Sequence, residues 1–138
     1  MELELAPQQG PFTPLVEREA LTKAFIRLTE LWDLTQKETA ALLGWDYAEK
    51  RTRVDSMRKG KTVLDNDRDK LERVIDLINI HKCLRILFPN AASRRQVHEW
   101  VKVQRERFGG HSALDIMLHH GKEGIAAIRR YLEFERTR

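Results

Sequence analysis

The sequence predicts an all-α protein, on three observations. Apolar residues recur at steps of three and four over long stretches, the spacing that lines one face of a helix. Most of these stretches open on Ser, Thr or Asp with Glu, Gln or Asp three residues on, the signature of a capped helix start. No stretch alternates polar and apolar residues with the period of two that a half-buried strand needs. With 41% hydrophobic and 33% charged residues, the chain of 138 has the balance of a helical protein with either one compact core or two small helical halves sharing a core.

Residues 1–14 hold three prolines and Gln8-Gln9-Gly10 with no sustained period, and read as a flexible arm. From Leu15 the pattern is helical, with Leu21, Phe25, Leu28, Leu31 and Trp32 on one face. Thr35 and Glu38 form a capping box, Ala40 to Leu43 a tight apolar turn of helix, and Gly44 its end. Asp46, with Glu49 in the reciprocal position, caps the next helix, which runs to about Lys59 before Gly60. Asp65 or Asp67 caps a long helix whose stripe is Leu71, Val74, Ile75, Ile78, Leu84, Leu87 and Phe88, stopped by Pro89. Ser93 with Gln96 caps a helix carrying Val97, Trp100 and Val101 and reaching toward Phe108, broken by Gly109-Gly110. Ser112 with Asp115 caps a short helix, 114–119, closed by Gly121, and a last helix holds Ile125, Ile128, Tyr131 and Leu132. The expected interior includes Trp32, Leu43, Ile75, Ile78, Trp100 and Leu114. Three regions result: the arm 1–14, a front unit 15–63 and a rear helical unit 64–138.

Composition sets limits on function. The net charge of +4 permits nucleic-acid binding without requiring it, so the placement of the positive charge decides. The apolar runs are too short for a membrane span and the first residues carry no secretory pattern, which points to the cytoplasm. The single cysteine, Cys83, rules out an internal disulfide framework and, inside a helix with no base partner in view, reads as a buried thiol. His98-Glu99-Trp100-Val101-Lys102 begins like a zinc-protease helix, but Lys102 stands where the second histidine ligand belongs. His111, His119 and His120 are close in sequence, yet adjacent helical side chains point about 100° apart and do not converge on a metal. No phosphate-binding glycine loop or paired carboxylates stand out. The reading is a non-enzyme with no cofactor and no metal.

The positive charge concentrates in one place. Between Lys50 and Lys61 six residues are basic (Lys50, Arg51, Arg53, Arg58, Lys59 and Lys61), and only Asp55 is acidic. This segment follows Leu34-Thr35-Gln36-Lys37-Glu38-Thr39-Ala40-Ala41-Leu42-Leu43-Gly44-Trp45-Asp46, a run that resembles the front of a Cro/Xre-type helix-turn-helix. Small Ala40 allows close helix crossing, and Gly44 supplies the turn. The resemblance implies that Gln36 and the six basic residues meet operator DNA, the basic helix lying in the major groove. The stretch from Gly44 to Gly60 is longer than a compact motif of this kind, which predicts a recognition helix that is displaced or partly irregular. A Lys/Arg run of this size is also what a solvated helix face carries.

A second ordered set lies in Trp100, Phe108, Gly110, Ser112, Leu114, Asp115 and Gly121. With the upstream helix-turn-helix and the long linking helix, it resembles the Xre/MbcA/ParS antitoxins over roughly residues 30–135. Ala113 stands where the family has a proline, and Gln104-Arg105-Glu106 where it has Pro-Asn. The resemblance implies an antitoxin that neutralises a RES-domain toxin, one that consumes NAD or transfers ADP-ribose from it. It also implies repression of the antitoxin's own operon by a homodimer on two half-sites. The residues it places against the toxin are Phe108, Gly109, Gly110, His111, Ser112 and Asp115. Arg129 and Arg130 are added as a rim, because arginine is enriched in interface hot spots. The same residues leave open a stand-alone helix-turn-helix regulator whose C-terminal helices dimerise.

Overall fold

The computed structural model describes residues 13–138, and among them there are six α-helices and no strand. They are α1 (Leu15–Leu31), α2 (Gln36–Leu42), α3 (Tyr47–Arg58), α4 (Arg68–Leu87), α5 (Arg94–Glu99) and α6 (Ala113–Thr137). Most of the arm lies outside the described residues. Its last part does not: the Thr13 amide donates to Asn66 Oδ1 at 3.0 Å, and Arg18 Nε donates to the Thr13 carbonyl.

Helix ends follow the local chemistry closely. Thr35 and Glu38 exchange both hydrogen bonds of the capping box, and so do Ser112 and Asp115. The long helix takes Asp67 as its cap, leaving Asp65 for an ion pair with Arg53. Asp46 caps α3 through the Ala48 amide at 3.2 Å instead of sharing a box with Glu49. Helices α1, α2 and α3 all close the same way. The second residue past each cap reaches back to a carbonyl of the last turn, as in Leu34 to Thr29, Trp45 to Ala40 and Lys61 to Ser56. Gly44 and Gly60 occupy the left-handed position in two of these closures; Asp33, at φ +52°, occupies it in the other.

One cluster of buried side chains runs from Phe25 to Leu132, with Trp32, Leu43, Leu64, Leu77, Ile80, Met117 and Ile125 among its most enclosed members. Helix α4 lies in its middle, packed by α1 on one side and α6 on the other. Helices α4 and α6 run in the same direction. Lys122 meets Asp69 and Glu72, and seven residues further along α6 Arg129 Nε lies 3.0 Å from Asp76 Oδ1 of α4. That last approach is an ion pair without hydrogen-bond alignment, since Arg129 Nε finds no hydrogen-bond partner.

Three sequence expectations are corrected. Ile75 is 43% exposed and Ile78 half-buried, while Leu77 and Ile80 are fully buried. Being covered on two flanks, α4 turns a broad face inward, and that face is rotated away from Ile75. Ser93 makes no side-chain cap, and the helix after it ends at Glu99; Trp100–Lys102 tightens into a 3-10 turn. The helix therefore does not reach Phe108. Arg105 folds back to donate through Nη1 to the carbonyls of Trp100 and Val103, both at 2.9 Å, and so satisfies acceptors left by the early end. Finally, the last two predicted helices abut without a loop: α6 continues past Gly121, where the backbone breaks at φ 63° and ψ −136°.

Candidate functional site

Helices α2 and α3 pack against each other across the four-residue turn 43–46. The capping box fixes the start of α2, and Tyr47 at the start of α3 donates its hydroxyl to Gln36 Oε1 at 2.9 Å. The two helix N-termini are thereby held together, and the bond engages Gln36 Oε1 while the Gln36 amide nitrogen makes no hydrogen bond among the described residues. The α3 backbone is regular over twelve residues and starts at Tyr47, so the irregularity predicted from its length is absent. Val54 and Met57 anchor the helix in the core.

The basic residues divide by environment. Lys50, Arg51, Arg58, Lys59 and Lys61 are exposed. Lys50 lies over the Trp45 ring at 5.6 Å and Arg51 over Tyr47 at 5.6 Å, contacts that orient both cations at the start of α3. Lys59 pairs with Asp55 at 2.9 Å, and this hydrogen bond is the first cause of the lowered Asp55 pKa. Arg53 faces inward: its Nη2 donates to the Val63 carbonyl at 2.9 Å and to Asp65 at 2.8 Å. It ties α3 to the segment leading into α4. Lys50, Arg51, Arg58 and Lys61 form the open part of the patch.

The second candidate surface is built on aromatic packing. Trp100, Phe108 and Tyr131 form a trio, with Phe108 edge-on to both other rings at centroid distances of 6.1 and 5.2 Å. Arg105 covers the Trp100 ring at 4.3 Å, and Arg107 donates through Nη1 to the Tyr131 hydroxyl at 2.7 Å. Sequence reasoning missed this arginine layer. Its only signal is the placement of two arginines between two aromatics of the motif.

The trio anchors the Phe108 end of the 109–111 loop, and a bond from the Arg105 amide to the His111 carbonyl closes the other end. Gly109, Gly110 and His111 are exposed, whereas Phe108 is half-buried in the trio. Ser112 is buried and spends its hydroxyl on the Asp115 amide, so it supports the loop from below. The Ser112 amide in turn lowers the Asp115 pKa. Arg129 is shared between Asp76 and Glu133, while Arg130 is exposed. Exposed His119 and His120 complete a groove with His111, Asp115, Ile116 and Leu118. Contrary to the divergence expected of neighbours on a helix, the rings of His119 and His120 meet edge-on at 4.7 Å. Among the described residues no group of three or more His, Cys, Asp or Glu is placed to hold a metal ion. Cys83 is buried, and burial raises its thiol pKa. Among the described residues no helix is long and apolar enough to cross a membrane.

Arg73 ties α4 to the end of α2. It donates to Asp69 at 3.1 Å and through Nη1 to the Leu42 carbonyl at 3.3 Å, the last carbonyl of α2. Its guanidinium lies directly under Gly44 and close to Gly121.

The chain is 31% identical over 114 residues to the uncharacterized protein y4oB of Sinorhizobium fredii (strain NBRC 101917 / NGR234), across 83% of this chain and 82% of that one. This chain belongs to the y4oB family. A span of that length takes in α2, α3 and α4 whichever end it starts from, so the y4oB likeness includes the α2–α3 unit. No protein-family model matches the sequence.

Proposed function

We propose that this protein is the antitoxin of a type II toxin–antitoxin pair. In this reading α2 and α3 form a Cro/Xre-like helix-turn-helix that binds the protein's own operator. The C-terminal half holds a RES-domain toxin, one that consumes NAD or transfers ADP-ribose from it. The observation that carries the reading is the exposed basic face of α3, Lys50, Arg51, Arg58 and Lys61, on a helix whose N-terminus is pinned beside that of α2 by the Tyr47–Gln36 bond. Phosphate contacts need unpaired cations at fixed positions, and this arrangement supplies them. The toxin-binding part draws on the likeness of the Trp100–Gly121 motif to the Xre/MbcA/ParS antitoxins and on the exposed loop Gly109-Gly110-His111, which is held at both ends. A rigid exposed loop loses little entropy on binding.

The test uses the full-length chain co-expressed with the product of the gene adjacent to its own. Co-purification and cellular NAD are measured together with binding to the DNA upstream of the gene pair. Arg51→Ala/Arg58→Ala/Lys61→Ala should weaken DNA binding and spare toxin binding; His111→Ala/Arg130→Glu should do the reverse. A wild-type chain that neither shifts that DNA nor preserves NAD sinks the proposal. A second reading, a stand-alone regulator whose C-terminal helices dimerise, draws on the exposed Phe134 of α6 and Ile75 and Ile86 of α4. It is favoured if DNA binding survives and no neighbouring product co-purifies.

A further inference from the structure

We infer that the groove between the C-terminal ends of α1 and α4 and the start of α5 is a second nucleic-acid contact that grips backbone phosphates. The inference rests on the DNA-binding reading above and extends it beyond α3. The groove is open, has a volume of about 950 Å³, and is lined by Arg27 of α1, His81, Lys82 and Arg85 of α4, and Arg94 and His98 of α5. Among the described residues no carboxylate lines it.

The cations here resemble the open part of the α3 patch and differ from many others on the molecule. Arg53, Lys59, Arg68, Arg73, Arg95, Lys122 and Arg129 all have acidic partners. Arg27, Lys82, Arg85 and Arg94 make no side-chain hydrogen bond or ion pair among the described residues. Three separate helices bring four unpaired, exposed cations to one concavity, which costs stability through mutual repulsion unless an anion joins them. At the back of the groove His81 Nδ1 is buried without a hydrogen-bond partner. Burial, then Arg85 and His98, hold the His81 pKa down.

Continuity selects nucleic acid as the anion. Arg27 lines this groove and also the neighbouring one beside α1, whose lining includes Lys23 of α1 and Arg58 of α3 together with the carboxylates Glu19 and Glu30. Arg58, Lys23 and Arg27 thus link α3 to the groove, with Glu19 and Glu30 of α1 interspersed among them, and the stretch free of carboxylates is the groove itself. A polyanion with evenly spaced charges can follow such a link; a single small anion fills one end of it. Phosphate contacts on either side of a recognition helix fix its register without reading sequence.

The experiment measures binding of the full-length protein to a mixed-sequence DNA duplex by fluorescence anisotropy across a salt series. Arg27→Gln/Arg85→Gln/Arg94→Gln should reduce the log–log salt slope by about 0.9 for each phosphate the groove no longer grips, which at 0.1 M salt is about eightfold in affinity per phosphate. All three positions are exposed, and an unchanged circular dichroism melt shows that the variant is folded. An unchanged slope and affinity in this variant overturn the inference. Saturation of the groove by pyrophosphate or by poly-glutamate, abolished in the variant while duplex binding is kept, also overturns it, by assigning the groove to a small anion or an acidic protein. Loss of duplex binding in Arg51→Ala/Arg58→Ala/Lys61→Ala with none in the groove variant rejects the groove alone. A wild-type protein with no duplex affinity rejects the DNA-binding reading itself.

Discussion

Replacing Gly44 by alanine tests how the α2–α3 turn is joined to the body of the protein. The residue sits at φ +76°, where an L side chain costs about 1–2 kcal/mol. A Cβ there would lie 3.0 Å from Arg73 Cζ, tighter than ordinary contact, so the guanidinium must move. Moving it weakens the bonds from Arg73 to the Leu42 carbonyl and Asp69. A net hydrogen bond contributes about 1 kcal/mol, and the half-exposed Asp69 warrants no more. The substitution should therefore cost about 2–3 kcal/mol. For a chain of this length, at about 2.1 cal/mol/K of unfolding entropy per residue, that lowers Tm by roughly 7–10 °C. Urea denaturation of Gly44→Ala, Arg73→Met and the double variant separates the two effects. In the Arg73→Met background the glycine substitution should cost only the backbone part, about 1–2 kcal/mol. Equal costs in both backgrounds would show that Arg73 does not press on the turn, and a cost below about 0.5 kcal/mol would refute the strained closure as well.

Two further substitutions probe the C-terminal half. In Gly124→Ala the new Cβ would meet the Ile116 carbonyl oxygen at 2.5 Å; backbone cannot yield as a side chain can, so the variant should lose several kcal/mol or fail to fold, read by its thermal melt. Ser112→Ala removes the cap of α6 and should cost about 0.5–2 kcal/mol, read by urea denaturation, with the exposed 109–111 loop becoming more protease-sensitive. Acid stability follows from the carboxylates. Asp69, Glu72 and Asp115 all have lowered pKa values in the fold, Glu72 chiefly through its bond from Lys122. A lowered folded pKa gives stability that is present above the unfolded values of 3.8 and 4.5 and is lost as pH falls through the folded ones. Lys122→Met should flatten the loss of Tm on acidification; a parallel pH profile would argue against the Lys122–Glu72 pair as its source.

Local chemistry made most of the helix boundaries legible. The capping boxes at Thr35 and Ser112, the glycines at 44 and 60, and Pro89 each act within a few residues of where they stand, so sequence alone places them. The errors fall where tertiary packing decides. Ile75 and Leu77 carry the same hydrophobic signal, and only the placement of α1 and α6 around α4 determines which one turns inward. Ser93 has a cap's chemistry, but it ends a 3-10 turn at φ −93° and ψ 0° instead of taking the extended backbone of a cap. The candidate sites were legible as segments and not as atoms. The basic run at 50–61 was visible, but its division into exposed Arg51 and inward Arg53 depends on Asp65, a residue of the following link. Arg73 was invisible for the same reason, since its partners at Leu42 and Gly44 lie about thirty residues away and leave no local pattern.

The shared core bears on how the two proposed activities can be separated. Phe25, Trp32, Leu42 and Leu43 come from the front of the chain and are fully enclosed by the cluster that includes Leu77, Met117 and Ile125. Burying four such side chains contributes about 6–12 kcal/mol, comparable with the whole net stability of a typical domain, about 5–15 kcal/mol. Cutting between Val63 and Leu64 removes that contribution, exposes the face of α4 that α1 covers, and strips Arg73 of its Leu42 acceptor. A fragment of residues 64–138 should consequently show no cooperative urea transition, although α4 and α6 would keep some helical signal by circular dichroism. A sharp two-state transition in that fragment, at a midpoint near that of the full chain, would refute the argument and make the rear half a domain in its own right. Without such a transition, failure of the fragment to bind a partner says nothing about the 109–111 loop. The activities must then be separated by surface substitutions such as His111→Ala and Arg58→Ala, which leave the core untouched because both side chains are exposed.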